Sequence, residues 1–233
     1  MFGDNTAAAQ RLALVATVFG PTTRAFIARA PPRAPRLALD LGCGPGYTTR
    51  LLAETTAAAR TVGLDRSRAF LKRARAHALD GVDFAEHDVT AVPFPPGPAE
   101  VIFARYILSH LPDPEALVAK WCAQLSPGGV LLVEEVETIE TAEPAFRAYL
   151  NTMAERMRAH GGELEIGSRL AKIADASEVV SLRPRNADAV GMFLRNLQAQ
   201  GDAGPLHEAL LRIDGQAHSI EWRLRQAIIR SAS

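Results

Sequence analysis

The stretch Leu37-Ala38-Leu39-Asp40-Leu41-Gly42-Cys43-Gly44-Pro45-Gly46 decides how this 233-residue chain folds. An apolar run ends on an acid and opens into three alternating glycines. Glycines so spaced let the backbone turn sharply after a strand, and let a ligand approach the main chain where a Cβ would collide. Tyr47 to Thr56, with Leu51, Leu52 and Ala53 among polar neighbours, predicts a helix. Strand, glycine turn and helix in succession are the architecture of a nucleotide site.

A glycine turn serves equally well as a tight connection, so the acids further on carry the argument. After a second apolar segment, Thr61-Val62-Gly63-Leu64, comes Asp65, at the spacing of about twenty residues where a second strand presents a carboxylate to a ribose diol. A third segment, Val82 to Glu86, leads to Asp88. Three strand-end acids would surround one crevice of an open parallel sheet. Charge then selects among ligands. A dinucleotide fingerprint needs its third glycine at position 47, which is Tyr47. A pyrophosphate disfavours extra carboxylates, whereas a sulfonium amino-acid nucleoside is cationic at sulfur and at its amine and suits Asp40, Asp65 and Asp88.

With these residues in place the chain resembles the class I S-adenosylmethionine-dependent methyltransferases, in particular the small-molecule group related to quinone-biosynthesis and natural-product enzymes. The matching stretches are LDLGCGPG at 39–46, VGLDRS at 62–67, HDV at 87–89, VIFARYILSHLPDP at 101–114 and LSPGGVLLVEE at 125–135. The resemblance implies that Gly42, Cys43, Gly44 and Gly46 clear space for the methionyl moiety and that Asp40 orients its amino group. It implies further that Asp65, with Arg66 beside it, binds the ribose. Asp88 and the amide of Val89 would meet the adenine, and Ala104 and Arg105 would pass close to the methionyl end. The plain alternative for Asp88 is a turn cap. S-adenosylmethionine as donor, S-adenosylhomocysteine as product and no metal complete the expectation.

The rest of the chain reads as one methyltransferase domain, 1–233, with an N-terminal helical cap (1–35), a cofactor-binding core (36–136) and substrate-shaping helices with the last two strands (137–233). Residues 5–19 and 22–30 predict two helices split at Gly20-Pro21, with Thr22 or Thr23 capping the second and Pro31, Pro32 and Pro35 ending it. They either cover the sheet edge or form a lid, with Arg24 a candidate for the cofactor carboxylate. Helices are expected over 67–79, 114–124, 144–160, 186–200 and 205–214, with a short one in 164–175. Strands are expected over 99–104, 130–136, 178–183 and 219–230. Alternating strands and helices imply an α/β, doubly wound, mostly parallel Rossmann-like sheet. By resemblance it has seven strands, the last antiparallel. Phe146, Leu150, Met153 and Met157 form one stripe, read as core or as the wall of an apolar pocket.

Methyl transfer needs an aligned nucleophile, exclusion of water and, for some acceptors, removal of a proton. His110 is placed for the proton step, or else packs structurally, and Tyr106 is a candidate contact to substrate or cofactor. Glu134, Glu135 and Glu137 are further candidates for positioning an amine or taking a proton. With 26 basic and 26 acidic residues the net charge is zero, which argues against a nucleic-acid acceptor or an anionic membrane. No signal segment or spanning run is read, so a cytoplasmic monomer or homodimer acting on a small molecule is expected. Two alternatives stay open: a non-methylating cyclase or rearrangement enzyme that binds the same cofactor, and a non-catalytic cofactor-binding protein.

Overall fold

The computed structural model describes residues 3–29 and 34–230. Pro31 and Pro32, expected to close the N-terminal helix, lie outside the described residues. The quoted run forms strand β1 (Leu37–Leu41), flanked by β2 (Arg60–Asp65) and β4 (Ala99–Arg105), with β3 (Val82–Glu86) beyond β2. Strand β5 (Leu125–Thr141) lies next to β4, followed by β7 (Ile220–Arg230) and β6 (Ala176–Leu182), so the order is β3-β2-β1-β4-β5-β7-β6. The first five strands pair in parallel, and β7 runs antiparallel to both β5 and β6. The chain order reverses between β1 and β4, and there the carboxyl ends of the strands leave a crevice.

Period-two alternation sorts the central strands into two cores. Leu39, Leu41, Ile102, Ala104, Leu131 and Val133 face one side, where Leu117, Val118 and Trp121 of α4 (Pro114–Cys122) cover them. Ala38, Val101, Phe103, Val130 and Leu132 face the other, under Phe26 and Ile27 of α1 (Thr6–Ala28) and Leu52 of α2 (Tyr47–Thr56). Both faces being buried, the strands are nearly all apolar. A third cluster sits past the carboxyl ends. There Val15 and Phe19 of α1 meet Phe146, Tyr149 and Met153 of α5 (Pro144–Arg158), Val190, Met192 and Phe193 of α7 (Asn186–Ala199), Leu210 of α8 (Pro205–Ile213), and Trp222.

Three boundaries differ from expectation. Helix α1 is continuous, with Pro21 inside it. Pro21 and Thr17, whose carbonyl loses its partner to the missing N–H, both lie on the exposed side of the helix, open to solvent, while Phe19, Thr23, Phe26 and Ile27 are buried opposite. The hydroxyl of Thr22 donates back to the carbonyl of Phe19 at 2.8 Å, and that of Thr23 lies 3.0 Å from the same carbonyl, so neither caps a new helix. Strand β5 runs past residue 136 to Thr141 because β7 pairs with it along that whole length, ending at Thr141 opposite Ile220. The helix expected over 67–79 is confined to α3 (Arg68–Arg75), and the short one expected in 164–175 is α6 (Gly167–Leu170). No helix among the described residues is long and apolar enough to cross a membrane.

Candidate active site

The turn after β1 is held from β2. The amides of Gly42 and Cys43 donate to the carbonyl of Leu64, at 2.8 and 3.1 Å, fixing the point where the chain leaves the sheet. Asp65 then clamps the loop: one carboxylate oxygen accepts from the Gly44 amide at 2.8 Å and the other from the Ser67 amide at 2.7 Å. Burial raises the Asp65 pKa against the pull of those two amides. Gly44, at φ +51, has only Leu12 within 4 Å of where a Cβ would stand, at 3.5 Å. The backbone is therefore open toward the cavity at this position.

That cavity, of about 810 Å³, is continuous from the loop into the third hydrophobic cluster. Gly42, Cys43, Gly44, Asp65, Arg66, Asp88, Val89, Arg105, Tyr106 and His110 all line it. Asp40, Gly46 and Ala104 do not, and each has a physical reason. Asp40 is fully buried behind the loop, where one oxygen accepts from both Thr48 and Thr49 at 2.7 Å, and burial pushes its pKa up to about 6. It anchors the start of α2 from behind the loop, while Thr48 reaches the cavity. At Gly46 a Cβ would stand 2.8 Å from the Phe84 ring, so this glycine makes room for the core. Ala104 is sealed inside the sheet.

Asp88 is exposed and caps a turn, one oxygen accepting from the Thr90 amide at 2.9 Å and from its hydroxyl at 2.8 Å, which lowers its pKa. It also lines the cavity, so the cap and a ligand contact are compatible. Arg24 pairs with Glu54 at 2.7 Å on the outer side of α1 and does not line this cavity. The three glutamates past residue 133 are likewise absent from its wall. Glu134 is buried between the Thr23 hydroxyl, at 2.7 Å, and the Gln226 amide, at 2.5 Å. Glu135 accepts from the Leu108 amide at 2.8 Å, and burial pushes its pKa up to about 8. Glu137 is bound by Arg225 at 2.6 Å.

His110 ends a short 3-10 turn, Leu108–His110, fixed by that Glu135 contact. Burial, with the positive charge of Arg11 nearby, drops the His110 pKa to about 3, so the ring is neutral near pH 7. Tyr106 leaves β4 with φ 54, and burial lifts its phenol well above the usual range, so it stays protonated. The residues that sequence reasoning missed are Arg11, Val15, Phe19, Tyr149, Met192, Phe193, Asn196 and Trp222, all in the cavity wall. No local motif marks them, because α1, α5, α7 and β7 meet only in the folded chain. Leu150, Met153 and Met157 of the predicted stripe line the cavity, whereas Phe146 is packed behind it.

Residues 38–129 match the family model of a methyltransferase domain. The match over residues 38–129, with the sheet order and the glycine turn around it, supports a class I S-adenosylmethionine-dependent methyltransferase domain. It is similar to the trans-aconitate 2-methyltransferase of Methylobacterium radiotolerans, 43% identical over 122 residues that make up 52% of this chain and 45% of the relative. The enzyme of the same name from Paracidovorax citrulli is 33% identical over 166 residues, 70% of this chain and 63% of the relative. The chain spans about half the length of the curated relatives it matches. Phosphoethanolamine N-methyltransferase 2 of Haemonchus contortus has a similar fold, with a TM-score of 0.59 at 19% identity over 97% of this chain and 58% of that one.

Proposed function

We propose that this protein transfers a methyl group from S-adenosylmethionine to a small-molecule acceptor of the kind handled in secondary metabolism or cofactor biosynthesis. The observation that carries the reading is the single cavity that joins the Asp65-clamped glycine loop to an enclosed, largely apolar end. The loop fits the cofactor: Gly44 leaves its backbone open, and Asp65, with one amide on each oxygen, keeps lone pairs for two ribose hydroxyls. In this reading Asp88, Val89 and Arg66 border the adenosine, while Gly42, Cys43, Arg105 and Tyr106 border the methionyl end. Asp40, Gly46 and Ala104 shape the turn from behind.

When bound, the sulfonium supplies an electrophilic methyl carbon. The protein's share is alignment and dryness. Phe19, Met192 and Trp222 exclude water from the acceptor end. His110, neutral with a conjugate acid of pKa about 3, accepts a hydrogen bond and orients the acceptor, but it is too weak a base to store a proton at neutral pH. Calorimetry with S-adenosylhomocysteine tests the reading. The wild type should bind, and Asp65→Asn should bind about 5- to 150-fold more weakly, the equivalent of about 1–3 kcal/mol for a lost charge-assisted contact. No binding by the folded wild type, or equal binding by the variant, overturns it.

A further inference from the structure

A chain of polar side chains, most of them buried, ends at the cavity wall. It starts just past α1 at Arg29, whose guanidinium donates to Gln226 Oε1 at 2.7 Å. That bond settles which way the Gln226 amide is turned, so its nitrogen faces Glu134, its neighbour across the β5–β7 ladder, and donates to one carboxylate oxygen at 2.5 Å. The other Glu134 oxygen takes the Thr23 hydroxyl at 2.7 Å, and the Thr23 oxygen in turn accepts from Arg105 Nη1 at 3.0 Å. Thr23, Glu134 and Gln226 are at most 2% exposed, so α1, β5 and β7 each bury a polar side chain to build it.

The last member reaches the cavity. Leu41 of β1 stands opposite Ala104 of β4, so Arg105 leaves the sheet beside Gly42, where the Ile107 side chain fills the space a Cβ would need. Arg66 lies on the other side of β1, next to Asp65 at the end of β2. A ligand whose ribose meets Asp65 therefore presents its opposite end to Arg105. That side chain is half-buried, lines the cavity, and has its guanidinium 5.2 Å from the centroid of the Tyr106 ring. Nη1 is used on Thr23, whereas Nε and Nη2 have no hydrogen-bond partner among the described residues and are not sealed from solvent. Together they form one edge of the guanidinium fork, the arrangement that receives a carboxylate through two parallel bonds. Burial raises the Glu134 pKa, and the Arg105 charge is the largest influence opposing it. Moving the guanidinium away would leave that carboxylate uncompensated, so the pair fixes where Arg105 sits.

We infer that Thr23 and Glu134 are positioning residues for the cofactor: they hold the Arg105 guanidinium beside the glycine loop, with its Nε–Nη2 edge toward the methionyl carboxylate. This rests on the methyl-transfer reading and deepens it. It also gives Arg105 the carboxylate contact that Arg24, paired on the outer side of α1, is not placed to make.

The test is calorimetry on the full chain with two probes, S-adenosylhomocysteine and S-adenosyl-3-thiopropylamine, which keeps the nucleoside, thioether and amine but has no carboxylate. The wild type should bind the first at least about fivefold more tightly. Thr23→Val, which keeps the buried shape and removes the bridging hydroxyl, should erase most of that preference by weakening S-adenosylhomocysteine alone, and Thr23→Ser should restore it. Glu134→Gln, which removes the counter-charge, should act as Thr23→Val does. A role in packing alone would weaken both probes together. The inference falls if the wild type shows no preference, or if either Thr23→Val or Glu134→Gln, once folded, weakens both probes equally or leaves S-adenosylhomocysteine unaffected. Failure of the wild type to bind either probe indicts the cofactor reading, whereas binding without the carboxylate-selective loss indicts this inference alone.

Discussion

Glu135→Gln isolates one buried carboxyl that the fold keeps neutral. In the folded chain Glu135 is fully buried on β5, one oxygen taking the Leu108 amide and the other without a partner. Its pKa rises from 4.5 to about 8, chiefly through burial, opposed by the amides of the 107–109 turn. The sign follows from linkage: a carboxyl with a raised folded pKa lends stability fully present below the unfolded pKa of 4.5, and that stability is lost as pH rises through about 8. Over roughly 3.5 pH units at about 1.4 kcal/mol each, this one group removes up to about 5 kcal/mol. Glutamine keeps an acceptor for Leu108 and has no proton to lose. Urea unfolding followed by circular dichroism at pH 5.5, 6.5 and 7.5 should therefore show the variant gaining on the wild type by about 1 kcal/mol per pH unit. A difference that stays constant with pH would mean that Glu135 is already ionised in the fold, and would refute the reasoning.

Other perturbations follow from the same geometry. Gly46→Ala, at φ +82 with a Cβ 2.8 Å from the Phe84 ring, should lower stability by about 1–3 kcal/mol in denaturant titration; an unchanged midpoint would remove Gly46 from the packed core. The His110 ring should remain neutral from pH 8 to pH 5, so its imidazole resonances in heteronuclear NMR should not titrate there; a midpoint near 6.5 would place it in water. Arg24→Ala should leave both S-adenosylhomocysteine affinity and stability within about 0.5 kcal/mol of the wild type, because its partner Glu54 is a half-exposed surface ion pair; a large affinity loss by calorimetry would restore the cofactor role expected of Arg24.

The glycine-loop end of the cavity was legible because its signals are local. β1, the turn at 42–46 and α2 are consecutive, and the acid of β2 falls at a fixed spacing from them, so Asp65 is read from the same pattern that folds it. What the pattern does not carry is direction. Asp40 and Gly46 sit inside the motif yet turn away, one onto Thr48 and Thr49 and the other against Phe84, because the turn has an inner side as well as an outer one. The aromatic end of the cavity was not legible. Phe19, Tyr149, Phe193 and Trp222 come from four elements and meet only by tertiary packing, and as isolated aromatics they are indistinguishable from core. Gly20-Pro21 misled for a related reason: propensity ends a helix there, but the burial of Phe19, Thr23, Phe26 and Ile27 outweighs one solvated carbonyl.

The unbroken α1 ties two regions that a hinge at Pro21 would have uncoupled. On one side it offers Arg11, Val15 and Phe19 to the cavity; one turn past Phe19 it buries Thr23, whose hydroxyl accepts from Arg105 at 3.0 Å and donates to Glu134. Fastened at that charged knot, the rod is tied again at its amino-terminal turn, where Asn5 donates to the carbonyl of Ala199 at 2.9 Å, Asp4 accepts from the Ser67 hydroxyl at 2.8 Å and Thr6 accepts from Arg73 at 3.0 Å, so displacing it from the chamber means breaking contacts to α3 and α7 together.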